Sequence, residues 1–165
     1  MLITTFTTYA EVRAVCGVSS KEVSDSLLQL SIYANELELA LDSVTLPDDA
    51  PGPGALKTVF AALPIEAERT DKEQQLYNLT RLYATYSVAE IVARTLSTMI
   101  PKTISDSKAT LTRFSSEATF QDTIKSITAA KKNYKDAIEN INATAVDVPD
   151  YLVRISPEID RITGE

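Results

Sequence analysis

The chain has 165 residues, 44 % hydrophobic and 24 % charged, which is enough apolar material for one core and too much for wholesale disorder. Sixteen basic against twenty-three acidic side chains leave a net charge of −7, which opposes non-specific attachment to a phosphate backbone. There is no histidine, and a lone cysteine, Cys16, excludes an intrachain disulfide and a thiolate zinc site.

The charge is uneven: −6 over residues 1–70, zero over 71–98, +4 over 99–135 and −5 over 136–165. Either the basic face of one subunit meets an acidic face of a neighbour, or the charges form a solvated mosaic. The start of the chain has no basic segment leading into an apolar core. No run reaches the roughly 18 apolar residues of a membrane span, so we expect an unexported, cytosolic protein that does not touch membrane.

The first element is announced by Thr8-Tyr-Ala-Glu11, a capping box opening a short helix that Gly17 stops. Cys16 falls in its apolar pattern and reads as a small buried hydrophobe. Ser19-Ser-Lys-Glu22 offers a second capping box. From Val23 the positions Val23, Leu27, Leu30, Ala34, Leu37 and Leu41 recur every three or four residues, a core-facing helical stripe. Ser31 and Asn35 are weak helix formers, so a break near Leu30 would divide the element in two.

A long loop is expected over about 45–57, where three prolines and two glycines cluster. A short apolar piece, Val59 to Leu63, follows. Thr70-Asp-Lys-Glu73 is a third capping box, and a helical pattern then runs to about Met99, ahead of Pro101. Leu76, Leu79, Tyr83, Tyr86, Val92, Leu96 and Met99 share a side that Leu82, Ala89 and Ala93 widen. Such an arc makes this the central helix, and the helical spacing of Tyr77, Tyr83 and Tyr86 favours packing over base stacking.

Residues 105–143 read as helical: a short helix carrying Leu111 and Phe114, a junction at Ser115, Ser116 and Thr119, and a long helix. Its seam is Phe120, Ile124, Ile127, Tyr134, Ile138 and Ile141, interrupted by Lys131. After Asn142 two prolines and several β-branched residues indicate an extended arm over 144–165. Its apolar residues Val146, Val148, Tyr151, Leu152, Val153, Ile155 and Ile159 call for a docking place: an exposed strand edge, a partner's groove, or the chain's own bundle. The fold class is therefore all-α, a bundle of four to five helices over 1–143 with an extended C-terminal arm.

Little here supports chemistry. GxGxxG, GxxxxGK[ST] and GxSxG are absent, and Asp48-Asp49 and the pair Glu36 and Glu38 read as surface charge. We expect no enzyme, no cofactor and no metal. Lys125, Lys131, Lys132 and Lys135 form the one basic cluster, either a solvated, salt-bridged helix face or a surface that meets acid on a neighbour.

Three segments carry a resemblance. Thr8-Tyr-Ala-Glu-Val-Arg-Ala-Val-Cys-Gly-Val with Ser-Ser-Lys-Glu and Leu-Ser-Ile-Tyr is one. The others are Leu76-Tyr-Asn-Leu-Thr-Arg-Leu-Tyr-Ala-Thr-Tyr-Ser-Val-Ala and Pro101-Lys-Thr-Ile-Ser-Asp-Ser-Lys-Ala-Thr-Leu-Thr-Arg-Phe. Over about residues 7–140 the order of these elements is similar to the head-to-tail connector or adaptor (head-completion) proteins of tailed bacteriophages. The resemblance implies a homo-oligomeric ring, usually of twelve copies, beneath the portal protein in the virion neck, assembled in the host cytoplasm. Such a ring extends the DNA channel, lets DNA pass without specific binding, and is a platform for the next neck or tail protein. It implies that the arm, Val146 to Ile155 above all, grips the portal. The other readings are a monomeric helical binding or regulatory module and another neck protein, a stopper or tail-completion subunit.

Overall fold

The computed structural model describes residues 2–47, 54–99, 103–106, 109–112 and 117–141. Among these the chain is all-α apart from two small antiparallel ladders, with seven helices. The first of them is too short to be foreseen from periodicity. Helix α1 (Leu2–Phe6) buries Ile3 and Phe6 within five residues, and α2 (Tyr9–Cys16) follows directly.

The cap of α2 forms as expected. The Thr8 side chain accepts from the Glu11 backbone N–H at 3.2 Å, while the Thr8 N–H donates to Glu11 Oε2 at 2.8 Å. Gly17 ends the helix with φ +66°, where a residue with a Cβ would be strained. Ser19-Glu22 makes only half of the box, the Ser19 N–H donating to Glu22 Oε2 at 2.7 Å while the Glu22 N–H goes to the Ser19 carbonyl at 3.1 Å, and it closes only a turn. The next helix, α3 (Asp25–Leu28), is capped by Ser24 instead.

The break near Leu30 is real, and α4 runs from Ser31 to Asp42. Because the chain turns between α3 and α4, the stripe does not continue across it. Leu28 is buried in place of Leu27, and Leu30 is 50 % exposed, contrary to the expected core face. In α4 the buried side is Tyr33, Leu37 and Leu41.

The expected loop over 45–57 is pinned at its base. Strand β1 (Thr45–Leu46) pairs antiparallel with β2 (Gly54–Ala55), Leu46 opposite Gly54, and the Leu56 N–H donates to Val44 O at 3.0 Å. Helix α5 (Leu56–Ala62) starts at once and buries Leu56, Val59 and Phe60.

Helix α6 (Asp71–Met99) is the centre of the molecule, with α1, α2, α4, α5 and α7 (Glu117–Glu139) all packed against it. Its buried residues include Leu76, Leu79, Tyr83, Val88, Ala89, Val92, Ala93 and Leu96, the broad arc its sequence shows. The capping box at its start forms too, Thr70 N–H donating to Glu73 Oε2 at 2.7 Å. The tyrosines pack rather than present faces. Tyr77 stacks on Phe60 at 5.0 Å with the Arg69 guanidinium 3.8 Å from its ring centre, and Tyr86 leans on Tyr134 at 5.2 Å.

One helical expectation fails. Residues 103–112 are not a helix carrying Leu111 but a hairpin, β3 (Thr103–Asp106) against β4 (Ala109–Thr112), with Ile104 opposite Leu111 and Ser105 opposite Thr110. The cause lies in the alternation Thr-Ile-Ser-Asp and Ala-Thr-Leu-Thr, a two-residue period that suits a strand. Phe114 and the 115–116 junction lie outside the described residues. Of the seam expected for α7, Ile127, Tyr134 and Ile138 are buried, as is Ile141 just past the helix end, and Ile124 is half-buried, while the side chain of Phe120 lies outside the described residues.

Cys16 is buried against α6, where its Sγ–H donates to Ala89 O at 3.4 Å. Burial pushes its thiol up to about 12. Because the thiolate is the reacting form, the native protein is expected to resist maleimide labelling. One thiol per chain should react once urea unfolds it, as intact mass will read.

Candidate functional site

Two surfaces stand out, one built on charge and one on exposed apolar side chains. The first lies between α6 and α7. Glu90 is 8 % exposed, a carboxylate in a helical stretch otherwise rich in valine and alanine. It accepts from Lys131 Nζ at 3.0 Å, from Thr128 Oγ1 at 3.0 Å and from Arg94 one turn on. Burial works against its ionisation, but the hydrogen bonds and positive charge of Lys131, with the bonds from Arg94 and Thr128, hold the carboxyl below its ordinary value. Lys131, which breaks the apolar seam of α7, is thus the cross-helix partner of a buried acid. A cleft of about 250 Å³ beside this cluster is lined by Tyr83, Glu90, Thr128, Lys131, Lys132 and Lys135.

The four lysines of the basic cluster are therefore not equivalent. Lys131 is committed to Glu90, Lys125 lies 3.4 Å from Asp122, and Lys135 lies 3.6 Å from Glu139. Lys132 is exposed and has no ion-pair partner among the described residues. Three of the four charges are answered within the chain, and only Lys132 with the exposed Lys125 faces outward.

A second polar hub joins the N-terminus to α6. Glu11, beyond capping α2, accepts from Arg81 Nη2 at 2.9 Å, and Arg81 Nε reaches Phe6 O at 3.4 Å. Thr7 and Thr85 hydroxyls meet at 2.7 Å beside it. Although partial burial disfavours the charge, the Thr8 hydrogen bonds and Arg81 keep the Glu11 carboxyl below its ordinary value. This hub is structural: it holds α1 and α2 on α6.

The apolar surface is on α4. Ile32 is 57 % and Leu39 65 % exposed, seven residues apart on one face, with Glu36 exposed between them. Leu30, just before the helix, is exposed as well. Of the three α4 carboxylates, Glu38 is bound by Lys57 of α5 and Asp42 is exposed at the helix end, while Glu36 lies between Ile32 and Leu39. Glu36 reads as surface charge in the sequence, but Ile32 and Leu39 escape notice, because attention to one stripe hides apolar residues on the opposite face. The signal was their i, i+7 spacing.

The arm residues Val146, Val148, Tyr151, Leu152, Val153, Ile155 and Ile159 lie outside the described residues, as do Asp48 and Asp49. Among the described residues no group of three or more His, Cys, Asp or Glu side chains is placed to hold a metal ion, and no helix is long and apolar enough to cross a membrane. No family model, curated protein or solved structure matches this chain.

Proposed function

We propose that the chain is a non-enzymatic assembly subunit, a head-to-tail adaptor that forms a ring beneath the portal of a tailed bacteriophage. The observation that carries the assembly reading is the α4 face. Among the described residues the exposed large apolar side chains are Leu30, Ile32, Leu39 and Ile65, and two of them, Ile32 and Leu39, share one face of α4, a pattern expected of a surface that meets protein. The ion-paired carboxylates point the same way. Glu90 and Glu11 are each saturated by partners within the chain, an arrangement suited to holding helices together rather than to moving a proton. The adaptor identity rests on the resemblance of the three segments to that family, and with it come the portal, the neighbouring neck protein and the passage of DNA without specific contacts.

In this reading the arm grips the portal and the bundle builds the ring. Removing residues 144–165 is expected to abolish co-sedimentation with the portal ring and to leave the thermal unfolding midpoint within a few degrees of the full chain. A truncated chain that binds the portal as before contradicts the arm's role. A midpoint that falls steeply favours the other reading, a monomeric module whose arm packs on its own bundle.

A further inference from the structure

We infer that α4 of one copy docks on the outer face of α7 in the next, with Glu36 seated between Lys125 and Lys132. This rests on the ring reading above for the choice of a second copy as the occupant. The pairing of faces comes from the structure.

Along the outer side of α7 the exposed residues Lys125, Ala129, Lys132 and Asp136 follow one another at helical spacing. Along the outer side of α4 stand Ile32, Glu36, Leu39 and Ser43, in the same 4–3–4 rhythm. Both pairs of ends, Ile32 to Leu39 and Lys125 to Lys132, are seven residues apart, about 10 Å of helix. Laid against each other, the small Ala129 leaves room for the branched side chains, and the lysine stems cover Ile32 and Leu39 while their ammonium groups reach the carboxylate. The charges also match in sign: α4 carries Glu36, Glu38 and Asp42 and no basic residue, whereas the outer face of α7 presents Lys125 and Lys132, the latter with no ion-pair partner among the described residues, and Asp136 one turn beyond them.

Two copies of either face laid parallel and in register would oppose Glu36 to Glu36 or lysine to lysine, whereas α4 against α7 opposes unlike charges. Both helices pack on α6 and neither packs extensively on the other, so the two patches are distinct surfaces. A contact between different patches is head-to-tail, the kind that closes into rings.

The test is a charge swap in the full-length protein, read by sedimentation equilibrium over a wide concentration range at low salt. The wild type is expected to self-associate, and to do so less as salt rises. Glu36→Lys and Lys132→Glu are each expected to weaken association by on the order of tenfold or more, and the double variant to regain most of it. Unchanged thermal midpoints will show that all three variants fold. The inference is overturned if the wild type stays monomeric throughout, if either single variant associates like the wild type, or if the double variant does not recover. Portal binding is scored separately. Intact charge-swap behaviour without portal binding sinks the adaptor reading alone, and portal binding without charge-swap behaviour sinks this inference alone.

Discussion

Replacing Tyr83 by alanine is expected to cost about 4 kcal/mol of folding stability, the largest single loss from a side chain in this core. Tyr83 is 2 % exposed and is the largest of the fully buried side chains. It sits on α6, the helix against which the others pack, and its hydroxyl donates to Ala40 O at 3.2 Å, tying α6 to α4. Truncation removes a ring's worth of buried contact and leaves a cavity at the centre. Tyr83→Phe separates the two contributions: it keeps the ring and loses only the hydrogen bond, at about 1 kcal/mol. Urea unfolding of both variants at 25 °C checks the pair. Equal losses would mean that the hydrogen bond, not the packing, dominates. Since domains of this size are stable by only about 5–15 kcal/mol, Tyr83→Ala should be marginally folded.

The second large effect belongs to Glu90. Changing it to alanine strips Lys131, Thr128 and Arg94 of their common acceptor, in a place where the Lys131 side chain is only 29 % exposed. A loss of about 2–3 kcal/mol is expected, mostly from leaving a half-buried ammonium unpaired. Glu90→Gln keeps the shape and an acceptor oxygen and should cost less. It should also change the response to acid. The folded chain holds the Glu90 carboxyl below its ordinary 4.5, so as pH falls past that value the unfolded chain takes up a proton that the folded chain resists. Its contribution is full above about 4.5 and drains away below. Urea midpoints measured from pH 6 down to 3 should therefore fall less steeply in Glu90→Gln than in the wild type. Parallel curves would show that the carboxylate does not carry this linkage. Glu11, also held low, will continue to titrate in both proteins.

The parts of this fold that depend on four or five neighbouring residues were legible in the sequence. The caps at Thr8 and Thr70 are local hydrogen-bond patterns, the stop at Gly17 needs one glycine, and the break comes just before the weak helix former Ser31, although Asn35 lies inside α4. The width of the α6 stripe correctly placed that helix at the centre. What failed depended on phase or on distance. Once α3 and α4 separate, the three-and-four count restarts, so Leu28 is buried and Leu30 is not. The hairpin at 103–112 was taken for helix because each strand offers only four residues of alternation, too short to stand out between two long helices.

The polar site was half visible. Lys131 was conspicuous as a break in an apolar seam, but its reason, Glu90, lies 41 residues earlier, and nothing local announces a pairing at that separation. The cluster of four lysines looked uniform in sequence and is divided in space, with Lys131 turned inward and Lys132 outward. Glu36 reads as surface charge from the sequence, but Ile32 and Leu39 do not stand out, because an apolar residue off the core stripe has no meaning until the stripe's own direction is fixed.

The central claim is that this chain is a subunit built to be mounted on a portal. Light-scattering mass of a purified portal ring, measured alone and after incubation with an excess of the full-length protein, tests it most directly. The account predicts a saturable gain in mass equal to a whole number of 18.0 kDa subunits, lost when residues 144–165 are removed. A portal whose mass does not change at any excess of the full-length chain would contradict it.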